Sequence, residues 1–392
     1  MEPLLVLCGV LSIHSLLLQP VQGLVATFTT NHTLNKLAVD PVSGMIYVGA
    51  TNQLYQLDSG LKLNDTDVTG PVMDNPSCLS VVNTSASTCE VGSKAELTKL
   101  TDNVNKILAV DKRNGQLITC GSIYQGGCEV RRLGDITTFK QYRKNEKFRI
   151  AANNATMSTV AFVALGASDP ETDVLYVATT YTGNSIETQA LRKNIPAVSS
   201  RQLVGRNTLD YAFQDDITGK STKIYWNIEY RKTHIVDYVT GFSTGNFSYF
   251  MTVQQADTRT DSYVSKIIQI CHSDRDYTSY VEMPLTCGDY NLLQAATVVE
   301  TPGSTLQVTG AVVIATFSQS EPNSKVPTSR SAICVYTLSD IRQNFIDNLK
   351  HCYNGQGDYG KQFESEACTR RVSILSGTTY AISSETTCTL VF

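Results

Sequence analysis

"LAVDPVSGMIYVGA" runs from Leu37 to Ala50, and "LAVDKRNGQLITCGS" from Leu108 to Ser122. Each is an apolar run, an aspartate, three variable residues, a glycine, and a second apolar run that reaches another glycine. An aspartate side chain accepts hydrogen bonds from the backbone just ahead of it, and glycine supplies a positive φ, so the pair suits a tight turn between two antiparallel strands. Looser copies follow: "VALGASDPETDVLYVAT" (Val163–Thr179), "IVDYVTGFSTGNFSYFMTV" (Ile235–Val253) and "ATVVETPGSTLQVTGAVVIATF" (Ala296–Phe317). The turns fall near 42, 113, 170, 242 and 303, a period of roughly 60 to 70 residues. Repeated sheets at that spacing predict a β-propeller built of four-stranded blades. In "GMIYVGATNQLYQLD", Ile46 and Val48 alternate with Tyr47, and Leu54 and Leu57 continue the apolar set, which predicts half-buried strands. A blade cannot cover its own apolar surface, so neighbours must stack. Separate β-sandwich domains are the alternative, and no Pro- or Gly-rich linker divides the chain to favour them.

The first 23 residues hold a mostly apolar run from Leu4 to Leu18, then Pro20 and the small Gly23. This is the layout of a secretory signal peptide over residues 1–23, leaving 24–392 as the mature chain; a buried apolar helix is the competing reading. No later stretch approaches the roughly 18 apolar residues of a membrane helix, so a secreted or extracellular protein is expected. The formal charge is −4 for the chain and −3 without Glu2. No basic stretch dominates, which argues against nucleic acid as a partner. Ten cysteines remain once Cys8 leaves with the signal: Cys78, Cys89, Cys120, Cys128, Cys271, Cys287, Cys334, Cys352, Cys368 and Cys388. An even number in an oxidising compartment reads as five disulfides. There is no C-x-x-C and no H-E-x-x-H, so zinc and thioredoxin-like chemistry lose support. Sequons at Asn31, Asn64, Asn83, Asn154 and Asn246 make a glycoprotein compatible with the sequence, although a chain this rich in Ser and Thr carries about four by chance.

One helix is expected near residues 339–352, in "SDIRQNFIDNLKHC", with Ser339 as N-cap and Ile341, Phe345 and Leu349 on one face. Two strings imitate catalytic motifs. "GFSTG" (Gly241–Gly245) has the form of a nucleophile elbow, but that elbow needs a helix after it and "NFSYFMTV" reads as a strand. "GKST" at Gly219 lacks the upstream glycine of a phosphate loop, since position 214 is Gln. The mature chain's four histidines, His32, His234, His272 and His351, show no helical ligand spacing. A non-enzymatic protein without cofactor or metal is the expectation.

Several segments together resemble the plexin sema domain: "NVNKILAVDKRNGQLITCGSIYQGGCEVRRL" (Asn103–Leu133), "GPVMDNPSC" ending at Cys78, "SSRQL" from Ser199, "GFSTGNFSYF" from Gly241, "SYVSKIIQIC" ending at Cys271 and "CYNGQGDY" from Cys352. The "CGS-x-YQG-x-C" element is the most specific, because semaphorins and receptors of the hepatocyte growth factor type share the fold but usually lack "YQG" between these cysteines. The resemblance covers about Leu34 to Cys388. It implies an all-β, sema-type seven-bladed β-propeller with an insertion after blade five, of which only about five blades fit before Phe392. On that basis residues 24–392 are expected to be a partial propeller, a fragment or short form whose open strand edges invite association. The resemblance also implies the pairs Cys78–Cys89, Cys120–Cys128, Cys271–Cys388, Cys287–Cys334 and Cys352–Cys368. It further implies a ligand-recognition module of a semaphorin receptor in cell-surface signalling and guidance. Its partner would be a semaphorin-type protein, with a co-receptor or cis homo-association in addition. The ligand contacts would fall around Ser199 to Asp216 and Cys352 to Arg371, with Arg370 and Arg371 as candidates. "KQYRKNEKFR" (Lys140–Arg149) is a second basic stretch, suited to an acidic partner or glycosaminoglycan. The alternatives are a soluble decoy form and a secreted semaphorin-type ligand.

Overall fold

The Asp-x3-Gly turns close as their chemistry dictates. The Asp40 carboxylate accepts from the backbone N–H of Val42 at 3.0 Å and of Ser43 at 3.3 Å, and Gly44 takes φ 71°. Asp111 does the same for Asn114, at 3.2 Å from its backbone N–H and 2.7 Å from its side chain, ahead of Gly115 at φ 63°. A computed structural model of the chain describes residues 26–74, 98–142, 150–167, 169–182, 196–205, 208–225, 233–256, 260–277, 279–301 and 310–353.

Those turns begin a series of antiparallel sheets. The first is β1 (Leu34–Val39), β2 (Ile46–Ala50), β3 (Gln53–Leu57) and β4 (Leu63–Val68), hydrogen-bonded in that order. A short pair, β5 (Val72–Asp74) and β6 (Lys99–Thr101), leads to the second sheet. That sheet is β7 (Asn105–Asp111), β8 (Gln116–Gly121), β9 (Cys128–Arg132) and β10 (Asp135–Tyr142). The third is β11 (Thr159–Gly166), β12 (Asp169–Thr179), β13 (Val198–Gln202) and β14 (Lys223–Ile224). The fourth is β15 (Val236–Thr244), β16 (Phe247–Gln255), β17 (Tyr263–Cys271) and β18 (Val281–Pro284). The fifth is β19 (Leu292–Thr301), β20 (Gly310–Ser320) and β21 (Pro327–Thr337), followed by helix α1 (Leu338–Tyr353).

The sheets stack in chain order, with the first strand of each beside the first strand of the next: β1 by β7, β7 by β11, β11 by β15, β15 by β19. This is the all-β propeller arrangement, with inner strands along the axis and a hydrophobic layer between each pair of blades. Tyr47, Leu54, Leu108, Leu117 and Ile136 fill the first layer. Val174, Tyr176, Phe250 and Ile268 fill the third, and Tyr249, Ile267, Val313 and Phe317 the fourth. Buried Arg131 of β9 ties the first two sheets, pairing with Asp67 of β4 at 2.6 Å and lying over the Phe139 ring at 4.3 Å.

Three local expectations change. β2 and β3 are not half-buried: Tyr47 and Val48, on opposite faces of β2, are both buried, Tyr47 against the second sheet and Val48 in a cluster with Tyr55 and Phe28, whereas the flanking β1 and β4 keep exposed positions. The third and fourth turns shift: position 170 lies inside β12, and Phe242 pairs with Tyr249, so the fourth hairpin turns instead at Gly245 and Asn246. The residue that caps α1 is Thr337, whose Oγ1 accepts from the Asp340 backbone N–H at 3.1 Å; Ser339 sits in the first turn and donates to the same hydroxyl. Ile341, Phe345 and Leu349 face the layer between the fourth and fifth sheets, and Arg342 reaches back to the Thr244 carbonyl at 3.0 Å.

Four of the inner strands carry a register shift near their N-terminal ends: at Asn35 in β1, Lys106 in β7, Val239 in β15 and Gln294 in β19. A bulge there bends the strand and turns one side chain out of the alternation.

Candidate functional site

Cys120 and Cys128 stand opposite each other in the β8–β9 register and are joined by a disulfide, with Cα atoms 4.0 Å apart. The loop they close places Tyr124, Gln125 and Gly126 at φ 51°, 63° and 76°, a left-handed run that favours glycine. Hydrogen bonds from the short β5–β6 pair and from the segment leading into β11 hold it. The Tyr124 N–H donates to Asp74 at 3.2 Å, Asn153 donates to Gln125 Oε1 at 2.9 Å, and the Ala151 N–H donates to the Gly126 carbonyl at 3.1 Å. A Cβ at position 126 would lie 1.9 Å from the Ala151 oxygen. The "YQG" run is thus a joint between the second sheet and its neighbours.

Cys287 and Cys334 are also joined, with Cα atoms 5.9 Å apart, and Cys271 is disulfide-bonded. Cys78, Cys89, Cys368, Cys388 and the Cys352 side chain lie outside the described residues, so the pairings that involve them stay expectations. Arg370, Arg371, Asn83 and residues 143–149 of the basic stretch lie outside as well. Among the sequons, Asn31, Asn64 and Asn246 are exposed and Asn154 is half-buried, its Oδ1 accepting from both the N–H and the hydroxyl of Thr156 at 2.9 Å.

The stretch from Ser199 to Asp216 divides in two. Ser199, Ser200 and Arg201 in β13 are buried, Arg201 to 1% exposure. Arg201 donates to Ser199 Oγ at 3.1 Å and lies 4.1 Å from the Tyr211 ring centroid. The same ring has the Lys223 ammonium at 4.3 Å, and the Tyr211 hydroxyl meets Tyr225 at 3.1 Å. Beyond this cation–aromatic base, the chain leaves the sheet as a hairpin from Phe213 to Thr222, pinned by the Gln214–Ser221 bridge. Arg275, from the fourth sheet, packs over Phe213 at 5.1 Å, and Lys220 pairs with Asp276 at 2.7 Å, so the hairpin is braced across two blades. At its tip the Asp215 carboxylate accepts from the N–H of Ile217 at 2.9 Å and the hydroxyl of Thr218 at 2.6 Å. These bonds hold Asp215 below the ordinary carboxylate range and fix the turn. Ile217 emerges from it 96% exposed, beside the exposed Asp216. Sequence reading placed attention one residue short of it. The available signal was an isoleucine inside "DDITGK", an apolar residue in a turn-forming run.

The elbow-like string is a hairpin. Gly241–Thr244 lie in β15 and β16 follows directly. Ser243 nevertheless meets a histidine: His272 Nε2 is 3.0 Å from Ser243 Oγ and 3.1 Å from Ser248 Oγ. Among the described residues no carboxylate hydrogen-bonds this imidazole, so the third member of a triad is missing. Burial pushes its pKa down to about 4. A histidine whose folded pKa lies below its unfolded value near 6.5 contributes stability that is full above about pH 6.5 and is lost as pH falls toward 4. The loss is on the order of 3 kcal/mol. Urea unfolding of the native chain is therefore expected to weaken between pH 7 and pH 4.5, with a smaller drop in His272→Gln. Equal drops in both proteins would disprove the assignment.

Among the described residues, no group of three or more His, Cys, Asp or Glu is arranged to hold a metal, and no helix is long and apolar enough to cross a membrane.

Comparison with known proteins agrees with this architecture. Residues 293–390 match the model of the Sema domain. Plexin-A4 of Danio rerio is 33% identical over 358 residues, covering 84% of this chain and 18% of the relative. The solved extracellular region of Plexin A4 superposes with a TM-score of 0.70 at 31% identity, over 83% of this chain and 36% of that one. Drosophila Semaphorin 1a has the same fold, with a TM-score of 0.50 at 17% identity, over 82% of this chain and 56% of that one. The chain spans about a fifth of the length of the curated relatives it matches. The stacked sheets, the docked cysteine loop and these likenesses make the chain a sema domain of the plexin family.

Proposed function

We propose that this chain is an extracellular ligand-recognition module of a plexin-type receptor and that it binds a semaphorin-type protein. The observation that carries the reading is the likeness to plexin-A relatives along most of the chain. The rim of the third sheet is the surface suited to the task. Its hairpin is braced by Arg275 and the Lys220–Asp276 pair, and it presents Ile217 on a turn fixed by Asp215. A pre-ordered apolar tip loses little conformational freedom on binding. Arg370 and Arg371 are further contact candidates, and a co-receptor or a second copy in cis are further partners. The reading is one of recognition and not of catalysis, and the isolated Ser243–His272 contact fits it.

The test is surface-based binding of the secreted chain to a panel of semaphorin ectodomains. A saturable interaction is expected with at least one, weakened about tenfold or more in Ile217→Asp, as for an interface anchor. The variant should melt at the same temperature as the parent, since its side chain touches only solvent. Binding to an intact plexin with none to semaphorins would overturn the receptor reading in favour of a ligand. Unchanged affinity in Ile217→Asp would move the contact elsewhere on the ring.

A further inference from the structure

Near the N-terminal ends of the inner strands β1 and β7, two lysines converge on one segment. Lys106, the bulged residue of β7, is only 6% exposed. Its ammonium donates to the carbonyls of Ala155 at 2.5 Å and Met157 at 2.8 Å. Lys36, next to the bulge of β1, is half-buried and donates to the Thr159 carbonyl at 3.2 Å. Both therefore grip the same short segment leading into β11. Neither forms an ion pair with a carboxylate among the described residues. This is unusual, because a buried cation is costly unless paired. The two charges also oppose each other: burial and the Lys36 charge together bring Lys106 down to about 8.

The carbonyl bonds do not use up the donors. An ammonium has three N–H groups, so one remains on Lys106 and two on Lys36. Lys106 is itself the bulged residue of β7 and Lys36 follows the bulged Asn35 of β1, and from these positions both side chains reach the start of the third blade. We propose that the Lys36–Lys106 pair forms an anion site beside the segment leading into β11, taking a small oxyanion of the sulfate type. One such ion between the ammonium groups would use the remaining donors and cancel their repulsion. The site is separate from the rim of the third sheet and does not depend on the receptor reading.

Sodium sulfate at low millimolar concentration is the probe, with sodium chloride at matched ionic strength as control. The secreted chain is melted across a sulfate series. A saturable rise in midpoint is expected, about 2 °C once sulfate exceeds its dissociation constant about tenfold. Lys36→Met should abolish it and Lys36→Arg should keep it; Lys36 is chosen because Lys106 also clamps the segment before β11. If Lys36→Met is not secreted, calorimetric titration of the parent chain decides: saturable heat of sulfate binding supports the site and none overturns it. A linear rise without saturation, or the same rise in parent and Lys36→Met, shows only the general salting effect and also overturns it.

Discussion

Glu282→Ala is expected to lower the unfolding free energy by about 3–5 kcal/mol, the range for removing one partner of a buried ion pair. Glu282 in β18 is 1% exposed and Lys266 in β17 is 5% exposed, with their charged atoms 3.2 Å apart. The carboxylate has more partners than the lysine. Gln254 donates to its Oε2 at 2.9 Å, and the Tyr280 hydroxyl donates to Oε1. Because the Gln254 amide nitrogen faces the carboxylate, its oxygen faces His234 Nε2 at 3.1 Å, so the histidine is the donor there. Removing Glu282 takes one acceptor from each of three buried groups of the fourth blade, an ammonium, an amide and a hydroxyl. Urea unfolding at pH 7 measures the loss. The double variant Lys266→Met with Glu282→Leu should recover much of it, because the unpaired charge is then absent and the volume is kept. A single variant within about 1 kcal/mol of the parent would mean that water reaches Lys266, and the network would not be a buried one.

The second large effect is expected from Cys287→Ser with Cys334→Ser. This disulfide spans 47 residues of sequence, linking the end of the fourth blade to the edge strand β21 of the fifth. Closing a loop of that length removes about 4 kcal/mol worth of disorder from the unfolded chain, whereas the eight-residue separation of Cys120 and Cys128 corresponds to about 2.5 kcal/mol. The fifth blade should therefore lose more from its bond than the second blade does. Comparing the two double serine variants by urea unfolding checks the order. A larger loss at Cys120 and Cys128 would show that native-state packing around the clasp outweighs loop length.

Much of the blade plan was legible in the sequence because its hairpins are local. Asp40 with Gly44, and Asp111 with Gly115, act on their own backbone within five residues, and such chemistry reads off a string. The bulges were not legible. At Lys106 the side-chain alternation slips by one, and nothing in "NVNKILAVD" marks where, because the slip is decided by the pairing with β8. The buried network was hidden for a similar reason. Its members stand at 234, 254, 266, 280 and 282, and "SYVEMP" looks like a strand with its charge in solvent. Only the stacking of blades on both faces of the sheet buries Glu282 together with Val281 and Met283. The candidate site shared this limit. Within the stretch the resemblance indicates, Arg201 turns inward to hold Tyr211, while the exposed tip lies one position beyond it at Ile217.

The docked cysteine loop and the braced hairpin have opposite relations to change. A methyl group at Gly126 runs into a carbonyl of the adjoining blade, while any side chain at 217 enters water. The label by which this sequence is recognised therefore reports how two blades are keyed together. The hairpin from Phe213 to Thr222 behaves instead as a cassette. Its tip depends on Asp215 and its stem on the Gln214–Ser221 bridge, so its outer residues can be rewritten without disturbing the keyed joints that set the ring's geometry.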